Sequence, residues 1–417
     1  MNMAGKMKLT KMERAWVLYD VGNSAFVLLV ATLFPIYFNE IAGMANLSSV
    51  DYLAYWGYAT SIVTIVVALS GPILGTLTDN KGMKKPIFMI TMLIGAAGCS
   101  LLGFTHSWIV FLVIYIIAKC GYTSSLIFYD AMLGDVTSPE RMDDVSSRGF
   151  AWGYIGSCVP FILGLGLVLW GDRIGIGQLQ AMTITFVISS LWWIGATVPL
   201  LRGYKQLHYV ERTPHMFCNA FHRLFETFHN MKNEKGVFLF LLAFFCYIDG
   251  VYTIIDMATA YGTALGLDTT GLLLALLVTQ IVAFPSALIF GRLSSRYSSK
   301  VLIPVCIIAY TLIAIFAFQL DSQVKFWILA VCVGMFQGGI QALSRSHFAK
   351  IIPPEKAGEY FGLFDICGKG ASFIGTMLVS VASQLTGSIN LGVGSLVILF
   401  AVGLFLFVHS CKYCKTT

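Results

Sequence analysis

The sequence predicts an all-α membrane protein in which twelve transmembrane helices form two parallel six-helix halves. Three observations carry this prediction. Of 417 residues, 57% are hydrophobic and 12% charged, with a mean hydropathy of +0.78, whereas soluble domains carry about 25% charged residues. The apolar residues form runs long enough to cross a ~30 Å hydrocarbon core at about 20 residues each. Sequence landmarks in the first half also return in the second at a nearly constant offset. This composition excludes a soluble enzyme, a nucleic-acid binder and a disordered scaffold.

The twelve runs lie near 15–38, 53–78, 86–104, 108–132, 148–170, 181–201, 237–262, 270–291, 300–319, 325–347, 360–384 and 389–409. The first is too long for the apolar core of a cleavable signal, and no signal peptide is expected. It presents Asp20, Asn23 and Ser24 as one polar stripe. The second ends in GTLTDNKGMKK, Gly75 to Lys85. The fourth holds Lys119, Tyr122, Thr123 and Asp130 on nearly one face. The fifth carries Gly149, Gly153, Gly156 and Gly164, read as close helix packing.

Between the sixth and seventh runs lies a basic linker, 202–236. Pro214 is expected to start a helix on the membrane surface, with Phe217, Phe221, Leu224, Phe225 and Phe228 on one face. His208, His215, His222 and His229 recur every seven residues along its polar border. The expected domains are thus 1–201, the linker 202–236, and 237–417.

The seventh run holds Asp249, Thr253 and Asp256 on one stripe. The eighth ends in GRLSSRYSSK, whose Gly291 stands 216 residues after Gly75. Pro354-Glu355 repeats Pro139-Glu140 at an offset of 215. Two landmarks at one spacing indicate duplication. The tenth run presents Gln337, Gln341 and Arg345, and the eleventh presents Asp365 and Lys369 at i, i+4. With the N-terminus in the cytoplasm, all but four of the 27 Lys and Arg fall on that side or at its edge. This asymmetry places both termini in the cytoplasm.

Intramembrane charges are costly and therefore functional candidates. Asp249 and Lys119 each fall roughly 17–18 Å into their helices at ~1.5 Å per residue. Together they could hold the ammonium and carboxylate of a zwitterion, or pair with each other. Asp365 and Lys369 have the spacing of an intrahelical ion pair. Asp130 and Arg345 differ by 215 residues, the offset of the Pro-Glu landmarks. They therefore occupy equivalent places with opposite charge. The expectation is a salt bridge between the halves that closes a cytoplasmic gate; the alternative is separate pairing with local loop charges. Asp79 ends the second run beside the expected start of the eleventh near Glu359. A carboxylate there would be stabilised by exposed N–H groups and the helix dipole. Most of the ten cysteines lie inside apolar runs, so no disulfide, metal site or cofactor is expected.

Gly75 to Lys85 resembles the loop motif of the major facilitator superfamily, matching at Gly75, Leu77, Asp79, Gly82, Lys84 and Lys85. Four further blocks, Ala15–Phe26, Phe128–Gly156, Tyr247–Ile254 and Gly338–Lys369, resemble the autophagy-related vacuolar amino-acid effluxers of fungi and their prokaryotic relatives. Val21 and Asp130 depart from that pattern. The resemblance implies the major facilitator fold, with helices 1, 7 and 10 lining the cavity. It also implies secondary transport of amino acids or related metabolites, in the efflux direction, by alternating access. Asp20, Asn23, Lys119, Tyr122, Asp249, Thr253, Asp256, Gln337 and Gln341 are then the candidates for solute contact or coupling. Asp79, Asp130, Arg345, Asp365 and Lys369 are the candidates for gating. The expected partners are a small solute, protons and the bilayer, for a monomer in a prokaryotic plasma membrane. A drug or organic-ion exporter is the alternative, and a receptor or lipid-moving protein a second. No nucleophile–base set suggests an enzyme, and no nucleic acid is expected to bind.

Overall fold

The computed structural model describes residues 8–47, 49–211, 234–264, 267–369 and 372–413. The side chains of Asp256 and Lys369 and the surface helix expected at 214–228 lie outside that description. Almost all described residues are helical, and their one strand-like pairing is a bridge between Asn80 and Val210.

In chain order, α1 is Lys11–Met44, α2 Ser49–Thr78, α3 Lys84–Leu102, α4 Trp108–Ala131, α5 Met142–Trp170 and α6 Gln178–Gly203. Then follow α7 Lys235–Ala264, α8 Thr269–Leu293, α9 Ser299–Ala317 and α10 Gln323–Ile351. The eleventh element, α11, is described as two helices, Ala357–Lys369 and Ser372–Thr386. The last, α12, spans Asn390–Ser410. Among the described residues, eleven helices are long and apolar enough to cross a membrane. The run expected to be continuous over 360–384 is the one described in two pieces.

Local chemistry sets several boundaries. Thr10 and Glu13 form a reciprocal cap on α1: the Glu13 N–H donates to Thr10 Oγ1 at 3.1 Å and the Thr10 N–H to Glu13 Oε2 at 2.7 Å. The bend of α1 at Thr32 precedes Pro35, which has no N–H and whose ring crowds the carbonyl four residues back. Both α5 and α10 run beyond the expected limits of 148 and 347. Their added turns are polar and are held by ion pairs rather than by lipid.

One end of the bundle carries the loops 2–3, 4–5 and 10–11, residues 204–211 after α6 and the start of α1. It is tied together by Asn80–Val210, Glu13–Arg141 and Lys350–Asp143 contacts. It is called the basic end below. Along the bundle α1 packs on α5 and α6, α3 on α4, α7 on α12, and α8 on α10. The first six helices meet the last six where α2 packs on α11 and where α5 packs on α8 and α10. A tyrosine–serine pair occurs once in each set. Tyr19 and Ser125 tie α1 to α4 at 2.7 Å, and Tyr247 and Ser344 tie α7 to α10 at 2.6 Å. The glycines of α5 meet α1 closely: Gly153 faces Ser24, and Gly156 faces Val21.

Candidate functional site at the helix-set interface

Arg345 is the centre of the contact between the two sets. It enters from α10 and is 4% exposed. Its Nη1 donates to Asp130 Oδ1 of α4 at 3.0 Å, and its Nη2 lies 3.4 Å from Asp20 Oδ2 of α1. Nε donates to Ser146 Oγ at 2.9 Å and Nη2 to the Ser146 carbonyl at 3.0 Å, both on α5. The guanidinium carbon lies 4.6 Å from the Trp16 ring centroid and 4.3 Å from that of Phe150. Planar stacking with several directed donors is what a guanidinium supplies and an ammonium does not. One residue of the last six helices therefore binds three helices of the first six. Asp20, expected in the solute-contact set, is placed in this cluster. Its oxygen packs over the bare Cα of Gly149, where any side chain would collide with it. Asn23 donates to the Tyr19 carbonyl at 3.0 Å and to Asp20 Oδ1 at 3.3 Å, so its contacts are local.

A second layer lies closer to the basic end. Asp143 at the start of α5 accepts from Ser346 Oγ at 2.5 Å and from Lys350 Nζ at 2.6 Å. Asp79 follows α2 and accepts from the Gly358 N–H at 2.7 Å and the Glu359 N–H at 3.0 Å, in the first turn of α11. Those N–H groups have no intrahelical partner, so the carboxyl caps the helix. Burial pushes the Asp79 carboxyl up to about 7, against the pull of Lys84 and the two N–H donors. The approach requires glycine: a Cβ on Gly75 would collide with the Gly358 carbonyl.

A third cluster anchors the motif loop itself. Asp135 accepts from Lys84 Nζ at 3.2 Å, Tyr204 Oη at 2.5 Å, and the N–H groups of Leu207 and His208 at 3.1 and 2.9 Å. His208 Nδ1 lies 3.0 Å from the same carboxylate. This corrects the reading of His208 as part of a surface-helix border. It lies on a non-helical strap, 204–211, bound to loop 2–3. Gln206 Oε1 of that strap accepts from the Gly82 N–H at 2.9 Å, and its Nε2 donates to the Thr78 carbonyl at 3.0 Å.

The mid-depth candidates are arranged differently. Both oxygens of Asp249 accept from the Gly375 N–H at 2.9 Å, and Thr253 Oγ1 donates to Oδ1 at 3.4 Å. Asp249 therefore holds the second helix of α11, and a Cβ at Gly375 would collide with Thr253. The Lys119 ammonium lies 5.8 Å from the Phe26 ring centroid and 5.1 Å from that of Tyr122. Tyr122 is buried, and it stacks on Phe26 with centroids 4.7 Å apart. Gln341 and Gln337 lie one and two turns before Arg345 on α10. Asp365 lies within electrostatic reach of Asp130. Asp256 and Lys369 fall on helices with undescribed side chains, so neither their roles nor the Asp365–Lys369 pair can be placed.

Sequence reasoning missed Trp16, Asp135, Asp143, Ser146 and Tyr154. Asp135 and Asp143 flank the Pro139-Glu140 landmark, and two acids at the edge of an apolar run were the available signal. Ser146 and Trp16 gave none.

Residues 134–412 match the family described as vacuole effluxer Atg22 like. The chain is 41% identical over 404 residues to the MFS-type transporter YxiO of Bacillus subtilis (strain 168), covering 96% of this chain and 94% of that protein. It is 26% identical over 292 residues to autophagy-related protein 22 of Saccharomyces cerevisiae (strain YJM789), covering 60% of this chain and 54% of that protein. FucP, a major facilitator superfamily transporter solved in the outward conformation, superposes with a TM-score of 0.74 at 13% identity, covering 97% of this chain and 98% of that chain. The human organic anion transporter MFSD10 (TETRAN) superposes at 0.73 with 12% identity, covering 96% and 100%. At these identities the two structures bear on the fold alone.

Proposed function

Because this chain belongs to the Atg22-like vacuole effluxer family, with the major facilitator fold, we propose that it exports small amino acids or related metabolites by alternating access. It is a multi-pass membrane transporter of the major facilitator type and not an enzyme. The observation that carries the reading is the Arg345 cluster. A buried cation of the last six helices is bonded to two carboxylates and a serine of the first six, near the basic end of the bundle. Such contacts hold one end closed and must break when the sets 1–201 and 237–417 rock apart around a central site. Asp130, Arg345, Asp20 and Asp79 are then gating residues, and the basic end faces the cytoplasm by its charge. The carboxylates Asp20, Asp130 and Asp249 supply groups for coupling to protons.

The experiment is counterflow in proteoliposomes loaded with single amino acids, with Asp249→Asn alongside. Uptake driven by a few amino acids supports the solute class, and its loss in the folded variant shows that the Asp249 contact to α11 is needed for transport. Silence across the panel from folded protein refutes the amino-acid assignment. Counterflow with organic cations but no amino acid would instead select a drug or organic-ion exporter.

A further inference from the structure

Helices α5 and α10 run antiparallel across the interface, and their contacts can be read in order from the basic end. Asp143 meets Ser346 and Lys350; Ser146 meets Ala342 and Arg345; Phe150 meets Arg345; Tyr154 meets Gly338. Through Arg345 the polar groups named on these faces are bonded. Beyond it the pattern stops. Tyr154 Oη on α5 and Gln337 Oε1 on α10 are both buried, and neither has a hydrogen-bond partner. They lie at neighbouring levels, because Gly338, the residue after Gln337, would place a Cβ 3.1 Å from the Tyr154 ring. The Tyr154 ring therefore lies against α10, within the interface between the two sets.

A buried polar atom without a partner bears its full desolvation cost, and such atoms require an explanation. Two of them, one from each helix set, at the depth just beyond the closed gate, have a functional one. We infer that Tyr154 and Gln337 form a clamp for the solute, the tyrosine hydroxyl donating to a carboxylate and the glutamine carbonyl accepting from an ammonium. A zwitterion uses both the hydroxyl proton and the glutamine carbonyl, whereas a simple anion leaves the carbonyl unfilled and a simple cation leaves the hydroxyl proton undonated. The clamp rests on the transport reading above and names the groups that select the solute. Because it spans the two sets, it is complete only while they are together at this level, so the solute itself favours the closed arrangement.

The test has two arms. In the first, Gln337→Cys is treated in membranes with an impermeant thiol reagent from each face during turnover. Labelling from both faces is expected for a site exposed alternately, and no labelling from either face overturns the clamp whatever the solute. In the second, counterflow is measured for an amino acid that supports it, for its carboxamide and for its N-acetyl derivative. Tyr154→Phe should raise KM for the free amino acid about tenfold or more, the value of a hydrogen bond to a charged group, and that of the carboxamide, a neutral acceptor, by less. Gln337→Met should do the same with the N-acetyl derivative, a neutral donor, as the less sensitive probe. Unchanged KM in both folded variants means that the two atoms hold only water, and the clamp is refuted. Alternate labelling without counterflow of any amino acid supports a solute site here and refutes the amino-acid class instead.

Discussion

Replacing Arg345 by Asp should open the basic end. The guanidinium contributes ion pairs to Asp130 at 3.0 Å and to Asp20 at 3.4 Å, two hydrogen bonds to Ser146, and stacking on Trp16 and Phe150. Removing one partner of a buried ion pair costs about 3–5 kcal/mol, mostly the penalty of the stranded charge. Asp130 keeps 21% of its side chain exposed, which favours the lower end of that range. The loss falls on the closed arrangement alone, because these contacts join the two helix sets. At tenfold per ~1.4 kcal/mol, the closed population should fall roughly a hundredfold relative to the open one. The assay is maleimide labelling of Gln341→Cys, one turn from Arg345, from the basic side of oriented vesicles. Arg345→Asp and Asp130→Arg should each raise the labelling rate, and the double exchange should lower it again, since it restores one cation among two carboxylates. If neither single reversal changes labelling, or if the double exchange fails to rescue it in folded protein, the gate argument is wrong.

Three further outcomes follow from the contacts around that gate. Gly75→Ala should also raise basic-side labelling, because its methyl group meets a backbone carbonyl that cannot swing away, whereas Gly195→Ala, in open space, should leave labelling unchanged. Asp135→Asn should lower the unfolding temperature, since it strands the buried Lys84 ammonium at a cost of about 3–5 kcal/mol; adding Lys84→Met should recover part of the loss, and no shift in Tm would show the pair to be solvated. Asp79 holds its proton up to about 7 in the closed arrangement, against about 4 for a solvated aspartate. A raised carboxyl pKa stabilises the closed form on the acid side, and that support is lost as pH rises from about 4 to 7. Basic-side labelling, taken relative to that of a permanently exposed cysteine to remove the thiol's own titration, should therefore climb across this window and flatten in Asp79→Asn, and an unchanged profile in the variant would remove Asp79 as the titrating group.

The Asp79 contact was legible because a carboxylate at the end of one helix and an exposed first turn of another are local properties that each sequence segment announces. The offset of 215 that links Asp130 to Arg345 in the sequence links two side chains 3.0 Å apart in the structure, since duplicated halves bring equivalent helix ends to equivalent depths. Asp20 is expected in the solute set because the resemblance places helix 1 on the cavity, while periodicity gives the stripe it occupies but not the neighbour that stripe faces. The strap at 204–211 was invisible for a related reason: its bonds to loop 2–3 use backbone groups, Gln206 and an exposed Lys81–Glu211 pair, which carry no periodic signal.

The sequence alone determined the number of apolar runs, the duplication and the placement of charge, because a bilayer requires each spanning segment to satisfy its own backbone and to exclude charge along its length. Tertiary structure decided which charges meet. Arg345 joins Asp20, Asp130 and Ser146, Asp249 holds α11 rather than standing open, and Tyr154 and Gln337 remain unsatisfied between the sets. Those outcomes depend on how far each helix is rotated about its own axis. That rotation is fixed by packing between helices distant in the chain, at contacts such as Gly75 on Gly358 and Gly156 on Val21, where a single methyl group would set a different register.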